Sequence, residues 1–280
     1  MKLYSINAGN FKLDGGAMFG VVPKSLWQRS NPADINNMCS WAMRCLLIED
    51  GDKLILIDNG MGDKQSAKFF SHYYLHGDDS LEKSFKKYGF CFDDVTDVIL
   101  SHLHFDHCGG SVYYDSNKNL FFPTFKNAVY WSNKKHWNWA VNPNSREKAS
   151  FLKENILPIK ESGQLKFVEE EGALFDNISI KFVFGHTEAQ MIPYINYQGK
   201  TIIFTADLLP STGHIPLPYV MGYDIRPLVT LSEKQQLLLE ASKNNYILFL
   251  EHDNYTECCT LKQRDGRVIL DEKFHLKDCV

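Results

Sequence analysis

The sequence lacks an excess of positive charge, a long apolar run and cysteines in CxxC spacing. Its 280 residues carry 30 Lys and Arg against 34 Asp and Glu, a net charge of −4, unlike a duplex-DNA binder that neutralises phosphates. No apolar stretch approaches the ~20 residues of a membrane-spanning helix, and the N-terminus shows no signal-peptide core. We therefore predict a cytoplasmic protein with no nucleic-acid partner and no membrane partner.

Cysteine usage and overall composition argue against a disulfide framework. The seven cysteines are odd in number and show no CxxC spacing, so we expect reduced thiols, including the adjacent Cys258 and Cys259. Hydrophobic residues make up 44% and charged residues 23% of the chain, as in ordinary globular proteins. No internal repeat is visible. We predict a single domain over residues 1–280, and the sequence leaves open whether it forms a homo-oligomer.

Short aliphatic and β-branched runs bounded by Gly, Asp or Asn predict strands in both halves of the chain. The predicted strands are residues 2–8, 44–49, 53–58, 95–101, 128–131, 178–184, 200–205, 246–250 and 267–272. Helices are predicted at residues 80–88, 133–141, 145–155 and 232–244. The last has an apolar stripe with Ser232 as its N-cap, and Gly51 marks a hairpin turn. Strands interspersed with helices indicate a layered α/β protein.

A cluster of imidazoles directly follows the strand predicted at residues 95–101. The string His-x-His-x-Asp-His contains His102, His104, Asp106 and His107, and such a pattern has a low false-positive risk as a metal-binding motif. Two residues apart at the end of an extended segment, His102 and His104 project to the same side and can share one ion. Asp106 and His107 can hold a second ion about 3.5–4 Å away, as in two-metal hydrolases.

Three further polar residues follow predicted strands later in the chain. His186, Asp207 and His252 each come after an aliphatic or aromatic run. One loop cannot complete the coordination of two ions, since each ion needs about four ligands. These three side chains supply the missing donors, and we predict that they ligate metal together with the four side chains of the motif.

This order of residues, with Asp58-Asn59-Gly60 after an early strand, resembles the metallo-β-lactamase superfamily of hydrolases over nearly the whole chain. The resemblance implies an α/β fold, a four-layer αβ/βα metallo-β-lactamase-like sandwich with the metal site at one edge. It also implies the ligand assignment, which is His102, His104 and His186 around one metal, Asp106, His107 and His252 around the other, and Asp207 bridging both. Asp58 matches a family residue that supports the metal loop without being a ligand.

The donor set favours zinc, although manganese, cobalt or iron can occupy similar sites of nitrogen and oxygen ligands. Family members with iron redox chemistry carry Glu where His104 stands, so the resemblance implies a hydrolase with two divalent ions. We expect a metal-bound hydroxide to attack the substrate and one ion to polarise the substrate oxygen. Asp106 or Asp207 is expected to receive the proton, and the sequence does not choose between them.

Five side chains are candidates for substrate contact. The opening segment at residues 7–20 is similar to the first strand and loop of the superfamily's N-acyl-homoserine-lactone lactonases and of their phosphotriesterase relatives, which line a substrate cleft. The candidates are Met18 and Phe19 in this segment, Phe105 inside the metal motif, and His214 and Tyr223 in the proline-rich segment after Asp207. His214 and Tyr223 are also candidate acids for the leaving group.

Two departures from the lactonase pattern bear on specificity. The typical lactonases have a tyrosine three residues after the bridging aspartate, where this chain has Pro210. The usual Gly-His-Thr-Pro-Gly-His is here Gly-His-Thr-Glu-Ala-Gln from Gly185 onward, so the support of His186 is expected to differ.

We predict a dinuclear zinc-dependent hydrolase of a small neutral ester, with lactones as the first candidate. Phosphotriesters and thioesters follow, and then β-lactams. The alternative to an enzyme is a binding protein that metal ions stabilise and that has no catalytic activity. A complete set of seven ligands argues against it, because structural zinc usually sits in a closed four-ligand site. The net charge of −4 disfavours a nuclease.

Overall fold

The structure is a computed structural model that describes residues 1–279. Within this range the strands are β1 (Lys2–Asp14), β2 (Met38–Asp50), β3 (Lys53–Ile57), β4 (Asp97–Ile99), β5 (Val112–Asp115), β6 (Leu120–Pro123), β7 (Val129–Asn133), β8 (Leu165–Val168), β9 (Gly172–Phe175), β10 (Ile178–Val183), β11 (Gln190–Tyr197), β12 (Lys200–Phe204), β13 (Ile247–Phe249), β14 (Cys258–Arg264) and β15 (Arg267–Phe274). The α-helices are α1 (Gly15–Phe19), α2 (Lys24–Trp27), α3 (Ala67–Ser71), α4 (Leu81–Lys87), α5 (Phe105–Cys108), α6 (Lys134–Val141), α7 (Lys153–Glu161) and α8 (Pro227–Asn244). This mixture of strands and helices confirms the predicted α/β class.

The chain divides into two compact units. The first unit comprises residues 1–9 and 43–170, and the second unit comprises residues 10–42 together with the chain from residue 171 onward. That residues 1–280 act as a single hydrolase domain stays a prediction.

The first sheet has the strand order β1-β2-β3-β4-β7-β8. β2 and β3 form an antiparallel hairpin, and its turn contains Gly51 with φ +63°, as predicted, because glycine adopts positive φ freely. β3, β4, β7 and β8 pair in parallel. The carboxyl ends of parallel strands lie at one edge of a sheet. Asp58, which follows β3, therefore lies beside the histidine motif that follows β4.

The second sheet has the strand order β15-β14-β13-β12-β11-β10-β9. β12 and β13 are parallel. β10 runs in the same direction, because β10 and β12 are each antiparallel to β11. The three strands therefore end at the same edge of the sheet. His186 follows β10, Asp207 follows β12 and His252 follows β13, so the topology of the second unit brings these three residues together.

The core of the first unit explains why the motif loop is held firmly. Leu103 lies between two histidines of the motif but is fully buried in the same apolar cluster as Leu56, Val98 and Trp137. Burial of a leucine side chain stabilises a fold by about 1.5–3 kcal/mol. The apolar side chain between the two histidines thus lies in the core of this unit.

α8 begins at Pro227 rather than at the predicted Ser232. Proline suits the first turn of a helix, where its missing N–H has no intrahelical partner in any case. The assignment of Ser232 as the N-cap is therefore wrong. The predicted apolar stripe is confirmed, because Leu237, Leu238 and Ala241 are buried.

The helix predicted over residues 145–155 is also wrong. Its first part consists of turns, and α7 begins only at Lys153. Asn144 provides the reason, since its Oδ1 accepts the backbone N–H groups of Arg146 and Glu147 at 2.8 and 3.1 Å. Such local side-chain bonds compete with helical hydrogen bonds.

Three strands of the second sheet, β9, β11 and β14, are absent from the predicted elements. β11 contains Pro193, which lacks an N–H and usually marks an edge strand, yet β11 lies between β10 and β12. β1 also extends beyond the predicted residues 2–8 to Asp14.

No helix in the described part of the chain is long and apolar enough to cross a membrane. Each of the seven cysteines is a free thiol, in agreement with the expectation of reduced cysteines.

Candidate metal centre

The loop after β4 gathers the four side chains of the His-x-His-x-Asp-His motif in the first unit. Each of them is at most 8% exposed. Nε2 of His102 lies 3.0 Å from Nδ1 of His104, and the rings of His102 and His107 are 3.9 Å apart. Nε2 of His107 lies 3.8 Å from a carboxylate oxygen of Asp106. The motif is thus grouped as its spacing predicts, and metal ligation by these residues stays a prediction.

Asp58 sets the orientation of two of these histidines. It is completely buried, and its carboxylate accepts the N–H and the hydroxyl of Ser101 at 2.7 and 2.5 Å and Nδ1–H of His107 at 3.1 Å. Because Ser101 Oγ donates its proton to Asp58, it accepts from Nδ1 of His102 at 3.0 Å. Both histidines therefore carry a proton on Nδ1 and present a bare Nε2, the form that binds a cation.

In the second unit, Asp207 stands between two histidines. Its Oδ2 lies 3.0 Å from Nε2 of His186, and its Oδ1 lies 3.1 Å from Nε2 of His252. Nδ1 of His252 donates to the carbonyl of Ala42 at 2.7 Å, and Nδ1 of His186 donates to Asp224 at 2.9 Å. A neutral ring that donates from Nδ1 has a lone pair on Nε2. Each oxygen of Asp207 therefore faces the ring nitrogen that is left for a cation, either a proton or a metal ion held between the two atoms.

The electrostatics around His186 show the same preference for a positive charge. Burial by itself lowers the pKa of this histidine, but the carboxylates of Asp207 and Asp224 together raise it to about 10. The site therefore favours a cation next to Nε2. Imidazole nitrogens and carboxylate oxygens are the donors that first-row divalent ions take, so the residues present fit a divalent metal.

Asp224 is a functional candidate that the sequence analysis missed. Besides His186, its carboxylate accepts the backbone N–H of Met221 at 3.2 Å, so it ties His186 to the proline-rich segment. No sequence motif identifies Asp224, because it lies 38 positions from His186 along the chain and nothing in its local sequence indicates the contact. Only the fold brings the two together.

The two positions at which this chain departs from the lactonase pattern, after His186 and after Asp207, each make contacts that support a candidate ligand. Glu188 pairs with Arg226 at 2.8 Å, and Arg226 also donates to the carbonyl of Phe184 at 2.7 Å. An ion pair at the start of α8 thus supports the His186 loop. At the other departure, the carbonyl of Pro210 accepts the backbone N–H of His252 at 3.1 Å.

Met18, Phe19 and His214, three candidates for substrate contact, lie in a buried aromatic stack of the second unit. The Phe19 ring is parallel to Trp27 at 5.2 Å and to His214 at 4.4 Å. His214 accepts from Ser211 at 2.8 Å and donates to the carbonyl of Met18 at 2.9 Å. Burial lowers the pKa of His214 to about 3, so the ring is neutral. Contact of these residues with a substrate stays a prediction.

The other two candidates differ in exposure. Tyr223 is 39% exposed. Phe105 is buried in the first unit and packs against the rings of Phe69 and Tyr73 at 5.3 and 4.7 Å. Their roles in substrate binding also stay predictions.

A buried lysine holds the proline-rich segment. Nζ of Lys234, on α8, donates to the carbonyls of His214, Pro216 and Tyr219 at 3.0, 3.3 and 2.7 Å. Burial lowers the pKa of Lys234 to about 7, from an ordinary value of 10.5. The lysine therefore links α8 to the segment that begins just after Asp207.

We expect the Lys234→Met variant to be less stable than the wild type by about 1–3 kcal/mol, because buried carbonyls lose their donor. The unfolded chain keeps its proton up to about pH 10, whereas the folded chain releases it near pH 7. The wild type should therefore gain stability relative to the variant as the pH rises through this window. Urea unfolding at several pH values measures the difference, with Lys243→Met, an exposed position on α8, as the control. If the difference in stability between the wild type and Lys234→Met does not change with pH, the pKa of Lys234 is not lowered by burial.

The chain is similar in sequence to known metal-dependent hydrolases. The family model of the metallo-beta-lactamase superfamily matches residues 44–252. An N-acyl homoserine lactonase of Bacillus thuringiensis is 24% identical over 265 residues, which are 90% of this chain and 93% of that protein.

Solved structures agree with the sequence comparison. A probable metal-dependent hydrolase from Staphylococcus aureus is 27% identical, with a TM-score of 0.87 over 98% of each chain. AidC, described as a dizinc quorum-quenching lactonase, is 22% identical, with a TM-score of 0.77 over 98% of this chain and 95% of its own. These likenesses confirm the predicted α/β sandwich of the metallo-β-lactamase type.

Proposed function

The chain belongs to the metallo-beta-lactamase superfamily and is a metal-dependent hydrolase, and from this premise we propose that it cleaves a small neutral ester at a site of two divalent ions. Lactones are the first candidate substrate class. The proposal keeps the seven ligands that the resemblance implies, which are His102, His104, Asp106, His107, His186, Asp207 and His252, and treats residues 1–280 as one hydrolase domain.

The observation that carries the proposal is the position of Asp207. Its two oxygens face the Nε2 atoms of two different histidines, His186 and His252. A carboxylate that served one ion would need only one such neighbour. Two nitrogen–oxygen pairs on the same carboxylate support two cation positions and a bridging role for Asp207.

The ions, most consistent with zinc, would supply a strongly nucleophilic water and polarise the substrate oxygen. The protein's own contribution is orientation. Asp58 keeps His102 and His107 in the tautomer that exposes Nε2, and Asp224 does the same for His186. Asp106 and Asp207 are the carboxylates that can receive a proton during hydrolysis.

The lactone assignment draws on the relatives. N-acyl homoserine lactonases match 90% of this chain, and these enzymes act on small molecules. Pro210 stands where the typical lactonases have a tyrosine, and it uses its carbonyl to hold the backbone of His252. Turnover would then depend on metal polarisation without that hydroxyl, which favours substrates with better leaving groups. Cytoplasmic localisation and a homo-oligomeric state stay predictions.

Metal analysis followed by a substrate comparison tests the proposal. We expect two zinc ions per chain after reconstitution. The values of kcat/KM for an aliphatic acyl lactone and an activated aryl ester or phosphotriester should exceed that for single-stranded RNA by at least about 10³-fold, since a charged polymer does not suit a site for a small neutral ester.

Three results would count against this function. Full activity with one ion per chain would exclude the dinuclear site. Efficient RNA cleavage without turnover of the small esters would exclude the substrate class. Tight binding of a lactone with two ions present and no turnover would favour a metal-stabilised binding protein.

A further inference from the structure

A buried glutamate stands behind one histidine of the metal motif in the first unit. Glu147 is 3% exposed, and its Oε1 lies 3.6 Å from Nε2 of His104. It belongs to the turns between α6 and α7, where the sequence predicts helix. The turns also hold the motif in place, because the carbonyl of Ser150 accepts the backbone N–H of Phe105 at 3.0 Å. The ring of Phe151 packs 4.8 Å from His104.

The carboxylate of Glu147 is fixed by two donors on its other oxygen. Nε1–H of Trp139 and the side-chain amide of Asn144 both donate to Oε2, each at 2.6 Å. Hydrogen bonds to a carboxylate are stronger than those between neutral groups. Oε2 is therefore occupied, and Oε1 is the oxygen that faces His104.

The tautomer of His104 decides whether it can ligate through Nδ1. Because Ser101 and Asp58 keep the proton of His102 on Nδ1, the lone pair of His102 Nε2 faces Nδ1 of His104 at 3.0 Å. Two ring nitrogens can converge on one cation only if both are bare. His104 must then carry its proton on Nε2, the nitrogen that faces Glu147.

We propose that Glu147 is a positioning residue that holds His104 in the Nε2–H tautomer and so presents Nδ1 to a divalent metal. This inference rests on the proposed function. At 3.6 Å the interaction is electrostatic rather than a hydrogen bond. The carboxylate stabilises the positive end of the N–H dipole, and it stabilises the charge that the ring gains when Nδ1 binds a cation. Carboxylates behind ligating histidines commonly have this role.

The Glu147→Gln variant separates this role from a structural one. The amide oxygen of the new side chain can still accept from Trp139 and Asn144, so the turns keep their hydrogen bonds. Its NH₂ group then faces His104, where it opposes Nε2–H and favours a bare Nε2. The proton moves to Nδ1, and the nitrogen needed for the metal is blocked.

Two readouts follow. In metal-free protein, the lone pair of His102 Nε2 favours Nδ1–H of His104 and Glu147 favours Nε2–H. Long-range ¹⁵N–¹H NMR spectra of the histidine rings should therefore show a larger share of His104 protonated on Nε2 in the wild type than in Glu147→Gln. In competition with a chelator, the variant should bind one of its two zinc ions about 10- to 100-fold more weakly. The urea midpoint of the metal-free variant should match that of the wild type. Glu161→Gln, an exposed position at the end of α7, serves as the control and should change neither readout.

Trp139→Phe keeps the proposal testable if Glu147→Gln fails to fold. This substitution removes one of the two donors that fix the carboxylate of Glu147. It should weaken the binding of the same zinc ion, but less than Glu147→Gln does. An unchanged His104 tautomer together with unchanged zinc affinity, in whichever variant folds, would overturn the role of Glu147. A wild-type protein that binds no zinc would overturn the proposed function instead, and the NMR result would still decide whether Glu147 sets the tautomer.

Discussion

The Asp207→Ala variant is expected to lose both metal ions and to hydrolyse the best substrate at least about 10³-fold more slowly. The carboxylate faces Nε2 of both His186 and His252, and without it the repulsion between the two proposed cations is no longer offset. A metal ion contributes several kcal/mol of transition-state stabilisation, and about 4 kcal/mol corresponds to 10³ in rate. Elemental analysis and kcat/KM, measured on the same preparation, test this expectation.

Asp271→Asn is the matched control for this experiment. Asp271 lies in β15 of the same unit, is exposed and pairs with Lys262 at the surface, so its variant should keep metal and activity. An Asp207→Ala protein that retains two ions and wild-type turnover would show that Asp207 does not bridge.

The Asp58→Ala variant is expected to unfold more easily by about 3–5 kcal/mol and to bind metal about 10- to 100-fold more weakly. The substitution leaves the N–H and hydroxyl of Ser101 and Nδ1–H of His107 without their acceptor in a fully buried place. It also frees the tautomers of His102 and His107. Urea unfolding of the metal-free protein measures the first effect, and zinc competition with a chelator measures the second.

Asp58→Asn distinguishes the two effects. Asp58 has φ +55°, a left-handed conformation that Asn adopts more readily than Ala. An amide in this position keeps one acceptor oxygen but loses the charge that favours Nδ1–H of His107. We expect a smaller loss of stability than for alanine and a comparable loss of zinc affinity. Equal zinc affinity in the wild type and Asp58→Asn would contradict the orienting role.

Much of the fold follows from patterns along the chain. The β2–β3 hairpin is predicted by aliphatic runs on either side of Gly51, and β4 by the run before the histidine motif. The failures have local causes. β11 is difficult to predict because it contains Pro193, and proline ordinarily occurs in edge strands rather than in the interior of a sheet. The side chain of Asn144 bonds to the backbone and diverts residues 145–150 from the helix that their composition favours.

The sequence by itself determined the kinds of side chain at the candidate site. His102, His104, Asp106 and His107 are adjacent along the chain and follow an apolar run, so their donor chemistry and their grouping needed no knowledge of the fold. The later ligand candidates, His186, Asp207 and His252, were identified by their order and by their position after a strand.

Only the tertiary structure decided which nitrogen of each ring is left to face a cation. That choice depends on partners distant in sequence, such as Asp58 for His107, Asp224 for His186 and Glu147 for His104. Hydrogen bonds and ion contacts act over about 3–4 Å in space, whereas sequence patterns report only on residues within a few positions along the chain. A carboxylate brought to a histidine by the packing of separate strands or turns therefore leaves no local signal.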